Sequence, residues 1–92
     1  MDASIMNLDR RELYDFCDLL PEPVMARPVV TPVRGRGMAL SLDCGGQRVM
    51  LTNNGRPCKF ASLDAVMFEL DGAPNVDTAR LVIDVSNYWN GH

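Results

Sequence analysis

Apolar and polar positions follow two rhythms along this chain, and the changes between them predict its elements. Leu13, Phe16, Cys17 and Leu20 recur at i, i+3, i+4 and i+7, the stripe of one helical face. Asp9 and Glu12 have the spacing of a capping box, and Leu8 before the cap is placed to staple against Leu13. Pro21 lacks the N–H that another turn would need. A helix over 9–20 is therefore predicted. Pro21, Pro23, Pro28 and Pro32 keep 21–33 extended, because proline also moves the residue before it out of the α region. Within that stretch 29–33 reads as a short strand that Pro32 confines to a sheet edge. Gly35-Arg36-Gly37 then turns the chain.

The rhythm changes to period two in the centre. Strands are predicted over 38–43, 48–53 and 56–60, joined by two-residue turns at Gly45-Gly46 and Asn54-Gly55. Asn-Gly is a strong hairpin signal, since both positions of a type I′ turn need positive φ. With both turns two residues long, Leu42 pairs with Val49, Leu40 with Leu51, Leu51 with Cys58 and Val49 with Phe60. One face is then wholly apolar: Leu40, Leu42, Val49, Leu51, Cys58 and Phe60. The other carries Ala39, Ser41, Asp43, Arg48, Met50, Thr52 and Lys59 and is expected to be solvated, with Asp43 opposite Arg48. A slip of one residue would mix the faces, so the two turns support one register. Ser62 caps a second helix over 62–71, with Leu63, Val66, Met67 and Leu70 as its stripe, Phe68 off it and Gly72 ending it. Leu81, Ile83 and Val85 alternate in a final strand over 80–85.

These elements predict a single α+β domain over 1–92: an antiparallel sheet of four or five strands with two helices packed on one face. The expected core is Leu13, Phe16, Leu40, Leu42, Val49, Leu51, Phe60, Leu63, Val66, Leu70, Leu81 and Ile83.

Charge changes the picture more than composition does. The chain has 92 residues, 47% hydrophobic and 23% charged, which suits one globular domain. Its net charge of −3 hides a segregated pattern. Residues 1–26 sum to −4, 27–59 to +5 and 60–92 to −4. The bland explanation is a sheet's solvated face balanced by acidic helices. The sharper ones are a basic binding stripe, or acidic faces aimed at a basic partner.

Candidate chemistry is sparse. The single histidine is His92 at the chain end, which leaves no expected nucleophile–base pair. Cys17, Cys44 and Cys58 show neither metal-ligand nor redox spacing; two are expected as buried hydrophobes, and Cys44 in its turn as an exposed thiol. No catalytic residue, metal ligand or cofactor is expected. The start Met1-Asp2-Ala3-Ser4 lacks the pattern of a signal peptide, and no apolar run reaches bilayer length, so a cytoplasmic protein without membrane contact is expected. The candidate binding residues are Arg34, Arg36, Arg48, Arg56 and Lys59 of the basic segment, with Tyr88 and Trp89 of the aromatic tail. Direct DNA binding through the basic sheet face is less favoured, because that face lacks aromatic rings for base stacking and acidic segments flank it.

The run from Leu51 to Ala65, LTNNGRPCKFASLDA, resembles a strand–turn–strand–helix element of the ParC-type partition-associated family of small plasmid-borne proteins. That family usually has basic residues where this chain has Asn54 and Cys58. Similar pieces occur in small inhibitors of host defence, including anti-CRISPR proteins. The resemblance implies an accessory protein of a mobile genetic element. The expected function is non-enzymatic binding to another protein in plasmid partition or maintenance. The alternatives are an inhibitor that occupies a basic nucleic-acid-binding surface of a defence system, and direct DNA binding.

Overall fold

A computed structural model describes residues 6–86, 88 and 89. Met1–Ser4 and His92 lie outside the described residues. The elements in chain order are β1 (Met6–Asp9), a 3-10 turn (Arg10–Glu12), α1 (Leu13–Asp18), β2 (Ala26–Pro32), β3 (Met38–Cys44), β4 (Gln47–Asn53), β5 (Arg56–Pro57), α2 (Leu63–Leu70) and β6 (Val82–Ile83). The sheet runs β1-β4-β3-β2-β6, with β5 also paired to β4.

The sheet is mixed rather than purely antiparallel. β1 lies parallel to β4, with Met6 beside Val49 and Leu8 beside Leu51, and β6 lies parallel to β2. The first helix is correspondingly shorter than 9–20. Its first residue, Asp9, ends β1 and caps the 3-10 turn that takes up 10–12, accepting the Arg11 N–H at 2.9 Å. A neighbouring Arg11 guanidinium and that backbone bond hold the Asp9 carboxyl well below the usual carboxylate range. Leu8 is a buried strand residue.

The proline-rich segment is not an edge. β2 pairs along its length with β3, from Ala26 opposite Cys44 to Pro32 opposite Met38, and β6 covers its other side at Val29 and Val30. Alternation explains how the prolines are accommodated. Ala26 and Val30 direct their backbone groups away from β3, the first donating to Asn75 and the second accepting from Asp84. Pro28 and Pro32 share that parity, so the N–H each lacks is not one that β3 requires.

The central hairpin has the expected register, with Leu42 opposite Val49 and Asp43 opposite Arg48. Its successor starts as expected: Asn54 and Gly55 both have positive φ, and Cys58 donates to the Leu51 carbonyl at 3.1 Å. It does not continue to Phe60 opposite Val49, because Met6 flanks Val49 instead. The strand 56–60 is thus reduced to Arg56–Pro57, and Phe60 crosses to β3, where it exchanges two backbone hydrogen bonds with Met38. The final strand is likewise two residues, 82–83, rather than 80–85.

The buried cluster joins Leu13 and Cys17 of α1, Val66 and Leu70 of α2, and Leu8, Val30, Leu40, Leu42, Val49, Leu51, Cys58 and Phe60 of the sheet region. Four positions differ from the expected core. Leu63 is exposed at the start of α2, Ile83 is exposed on the short outer strand, and Phe16 and Leu81 are only half-buried. Phe68, off the stripe, is 81% exposed. Ser62 caps α2 by accepting the Ala65 N–H at 3.2 Å, and Ser62→Ala should lower the unfolding free energy by about 1 kcal/mol, read from chemical denaturation. A variant within experimental error of the wild type would show that the cap contributes nothing.

All three thiols are buried, so Cys44 is not the exposed residue its turn suggested; its neighbourhood includes Leu20 and Val24 of the same core. Burial, assisted by nearby Cys44, pushes the Cys17 thiol up to about 11, and burial also raises Cys44 and Cys58. A thiol whose pKa is higher folded than unfolded leaves stability intact below the unfolded value, about 8.5, and erodes it as pH rises beyond that. Native protein at mildly alkaline pH should therefore react with iodoacetamide more than roughly tenfold slower than denatured protein. Rapid native labelling, followed by mass spectrometry, would contradict the burial of these residues.

Candidate binding surface

On the second face of the hairpin sheet, the side chains are less solvated than their polarity suggests. Ser41 is 5% and Thr52 3% exposed, and Ala39, Asp43, Arg48 and Met50 are half-buried. Of that set, only Lys59 is exposed. Two segments make the difference. Asp84, just past β6, and Pro57 with Lys59, just past the Asn54-Gly55 turn, border the same depression of about 340 Å³ over Thr31, Val33, Ala39, Ser41, Arg48 and Met50. A flat sheet face becomes a concavity.

Two further depressions adjoin it. One of about 160 Å³ lies among Val33, Arg36, Gly37, Met38, Ala39, Pro57 and Lys59. Another, of about 290 Å³, is bordered by Arg10, Asn53, Arg56 and the 57–60 backbone segment. Pro57 and Lys59 border all three, so the depressions meet at these two residues.

The cations around this surface differ in how far they are already neutralised. Arg48 makes a two-pronged contact with Asp43, Nε to Oδ1 at 2.7 Å and Nη2 to Oδ2 at 3.0 Å. That bond, with weaker help from Asp84, raises the Arg48 pKa further. Asp84 accepts the Ser86 N–H at 2.9 Å, which keeps its carboxyl below the usual range and therefore charged. Arg10 is held by Glu69, with Nε 3.1 Å from Oε2. Arg34, Arg36, Arg56 and Lys59 have no carboxylate partner among the described residues.

The seven candidate residues thus fall into two groups. Arg36, Arg48, Arg56 and Lys59 border the joined depressions. Arg34, Tyr88 and Trp89 form a separate stack: the Arg34 guanidinium carbon lies 5.9 Å from the Trp89 ring centre, and Tyr88 meets Trp89 edge to face at 4.9 Å. Trp89 remains 66% exposed, so it does not seal the sheet edge. Sequence reasoning missed Asp84 and Val33, which carry no local motif, and the uncharged Pro57 and Asn53, which the Asn54-Gly55 turn brings to the surface beside Arg56 and Lys59.

A third region is apolar. Phe16, Leu19, Leu20, Pro21, Val24 and Cys44 surround a depression of about 410 Å³ between α1 and the Gly45-Gly46 turn. Exposed Asp15, Asp18 and Glu22 belong to the same stretch of chain. No group of three metal-ligating side chains is assembled among the described residues, and no helix among them is long and apolar enough to cross a membrane. No protein-family model, curated protein or solved structure matches the chain.

Proposed function

We propose that the protein is a non-enzymatic, cytoplasmic binding module of a mobile genetic element, of the plasmid partition or maintenance type, that docks onto another protein through the surface around Lys59. In this reading both helices lie behind the sheet and leave its concave face free. The observation that carries the reading is the set of cations at Arg36, Arg56 and Lys59, bordering joined depressions without acidic partners among the described residues. Three buried thiols suit a reducing compartment. The mobile-element context rests on the Leu51–Ala65 resemblance alone.

A protein partner is favoured over nucleic acid by the charges beside the cations. Asp43 neutralises Arg48, and Asp84 faces the same depression, so a phosphate chain crossing it would meet fixed negative charge. Capture from a plasmid-bearing host lysate tests the reading when wild type and Lys59→Glu are compared. A protein retained by wild type and lost with Lys59→Glu is expected. Equal retention by both, or a gel shift with random duplex at ~150 mM salt, would reverse it.

The inhibitor reading has its own support in the exposed acids Asp15, Asp18 and Glu22 near the apolar depression at Phe16 and Leu20. An acidic, partly apolar face suits a basic nucleic-acid-binding surface. Neighbouring genes separate the two: partition genes favour the first reading, defence or phage genes the second.

A further inference from the structure

We infer that the occupant of the surface around Lys59 is an extended acidic segment of the partner protein, with its carboxylates on Arg36, Arg56 and Lys59. The inference rests on the protein-docking reading above and specifies what it leaves open, the chemistry of the part that binds.

The shape of the surface argues for an extended segment. Depressions of about 160, 290 and 340 Å³ lie at or below the lower end of the range for small-molecule sites, roughly 300–1,000 Å³. Each is sized for a side chain or two rather than for a cofactor. They are three separate depressions joined at Pro57 and Lys59 rather than one pit. A strand-like peptide sends successive side chains to opposite sides, with same-side neighbours about 7 Å apart, and can fill adjoining depressions one side chain at a time.

The charges argue for acidity and also give it a direction. At one end Arg56 and Lys59, with Arg36 nearby, have no carboxylate of this chain among the described residues. In the depression on the other side of Lys59, Arg48 is already paired with Asp43, and Asp84 adds a further negative charge. Carboxylates of the ligand therefore belong at the Arg36–Arg56–Lys59 end, where guanidinium groups offer paired donors to them. Apolar side chains belong in the depression over Val33, Ala39 and Met50, where the polar requirement has been met. A polyanion with evenly spaced phosphates matches only the first half of this pattern.

All three cationic side chains belong to exposed residues, so charge reversal there leaves the core intact. The probe is a short peptide of alternating Glu and Val, titrated into the full chain and followed by backbone amide shifts. Trp89, the only tryptophan of the chain, gives an optical readout of the neighbouring Arg34 stack. Amide shifts concentrated in 33–39 and 56–60 are expected, with Lys59→Glu and Arg36→Glu each weakening the affinity by about tenfold at unchanged melting temperature. The same peptide with Lys in place of Glu should not bind. Shifts that map elsewhere, affinity indifferent to Lys59→Glu, or preferential binding of an oligothymidylate at ~150 mM salt would each overturn the inference. Self-association of the chain on the same surface, detected by sedimentation, would overturn it too. If the Glu–Val peptide fails while capture of a host protein still depends on Lys59, the segment chemistry is wrong and the docking reading stands. Capture that is indifferent to Lys59 removes both.

Discussion

Leu51→Asp is expected to leave the chain without a folded state. Leu51 is 2% exposed and lies inside β4, where Leu8 flanks it on the parallel side. The substitution removes a buried leucine, a loss of about 2–5 kcal/mol, and places a carboxylate where no cation is available to pair with it, which costs several kcal/mol more. A domain of this size has roughly 5–10 kcal/mol of stability in total. Circular dichroism and amide proton dispersion are therefore expected to show a denatured chain in dilute buffer. A cooperative melt close to that of the wild type would mean that β4 does not present Leu51 to the core.

Gly37→Val should be the next most damaging single change, although the residue is only half-buried. Gly37 has φ of +79°, a conformation that a β-branched residue adopts only under strain. A Cβ there would also stand 2.9 Å from the Phe60 carbonyl oxygen. That oxygen accepts the Met38 N–H at 3.0 Å, while Phe60 returns a bond to the Met38 carbonyl at 2.8 Å. Relieving the clash means moving the backbone that closes β3 onto the 58–60 segment. Backbone strain and weakened hydrogen bonds together should lower stability by about 2–4 kcal/mol in urea denaturation. Gly35→Val serves as the control, because a Cβ at Gly35 meets nothing within 4 Å and leaves only the conformational strain of its φ of +76°. Equal losses at both positions would show that contact with Phe60 does not matter.

Local rules were reliable where both partners of an interaction lie close together in the chain. The hairpin turns, the Leu42–Val49 and Asp43–Arg48 pairs, the Ser62 cap and the alternation of the buried face all depend on neighbours within a few residues. What escaped was set by distant partners. Met6-Asn7-Leu8-Asp9 is too short to show a period, and its capping signal at Asp9 outweighed its strand character until β4 offered a free flank. The same flank explains why Phe60 turned to Met38. β6 shows how a two-residue pairing defeats pattern reading, since Ile83 alternates correctly yet sits on an outer strand with solvent beside it. The candidate surface was half legible. Its cations stood out as a charge block, but its concavity depends on Asp84 and Pro57 arriving from separate parts of the chain.

The parallel pairing of β1 with β4 also bears on synthesis. Met6 precedes its partner Val49 by roughly 40 residues, which a ribosome adds over a few seconds at about 5–20 residues per second. Throughout that interval β1 has no strand to join, and α1 has no β3–β4 sheet to cover. The core therefore cannot assemble progressively from the N-terminus. It must wait for the β3–β4 hairpin, the locally paired part of the fold, to emerge and recruit a segment made long before it.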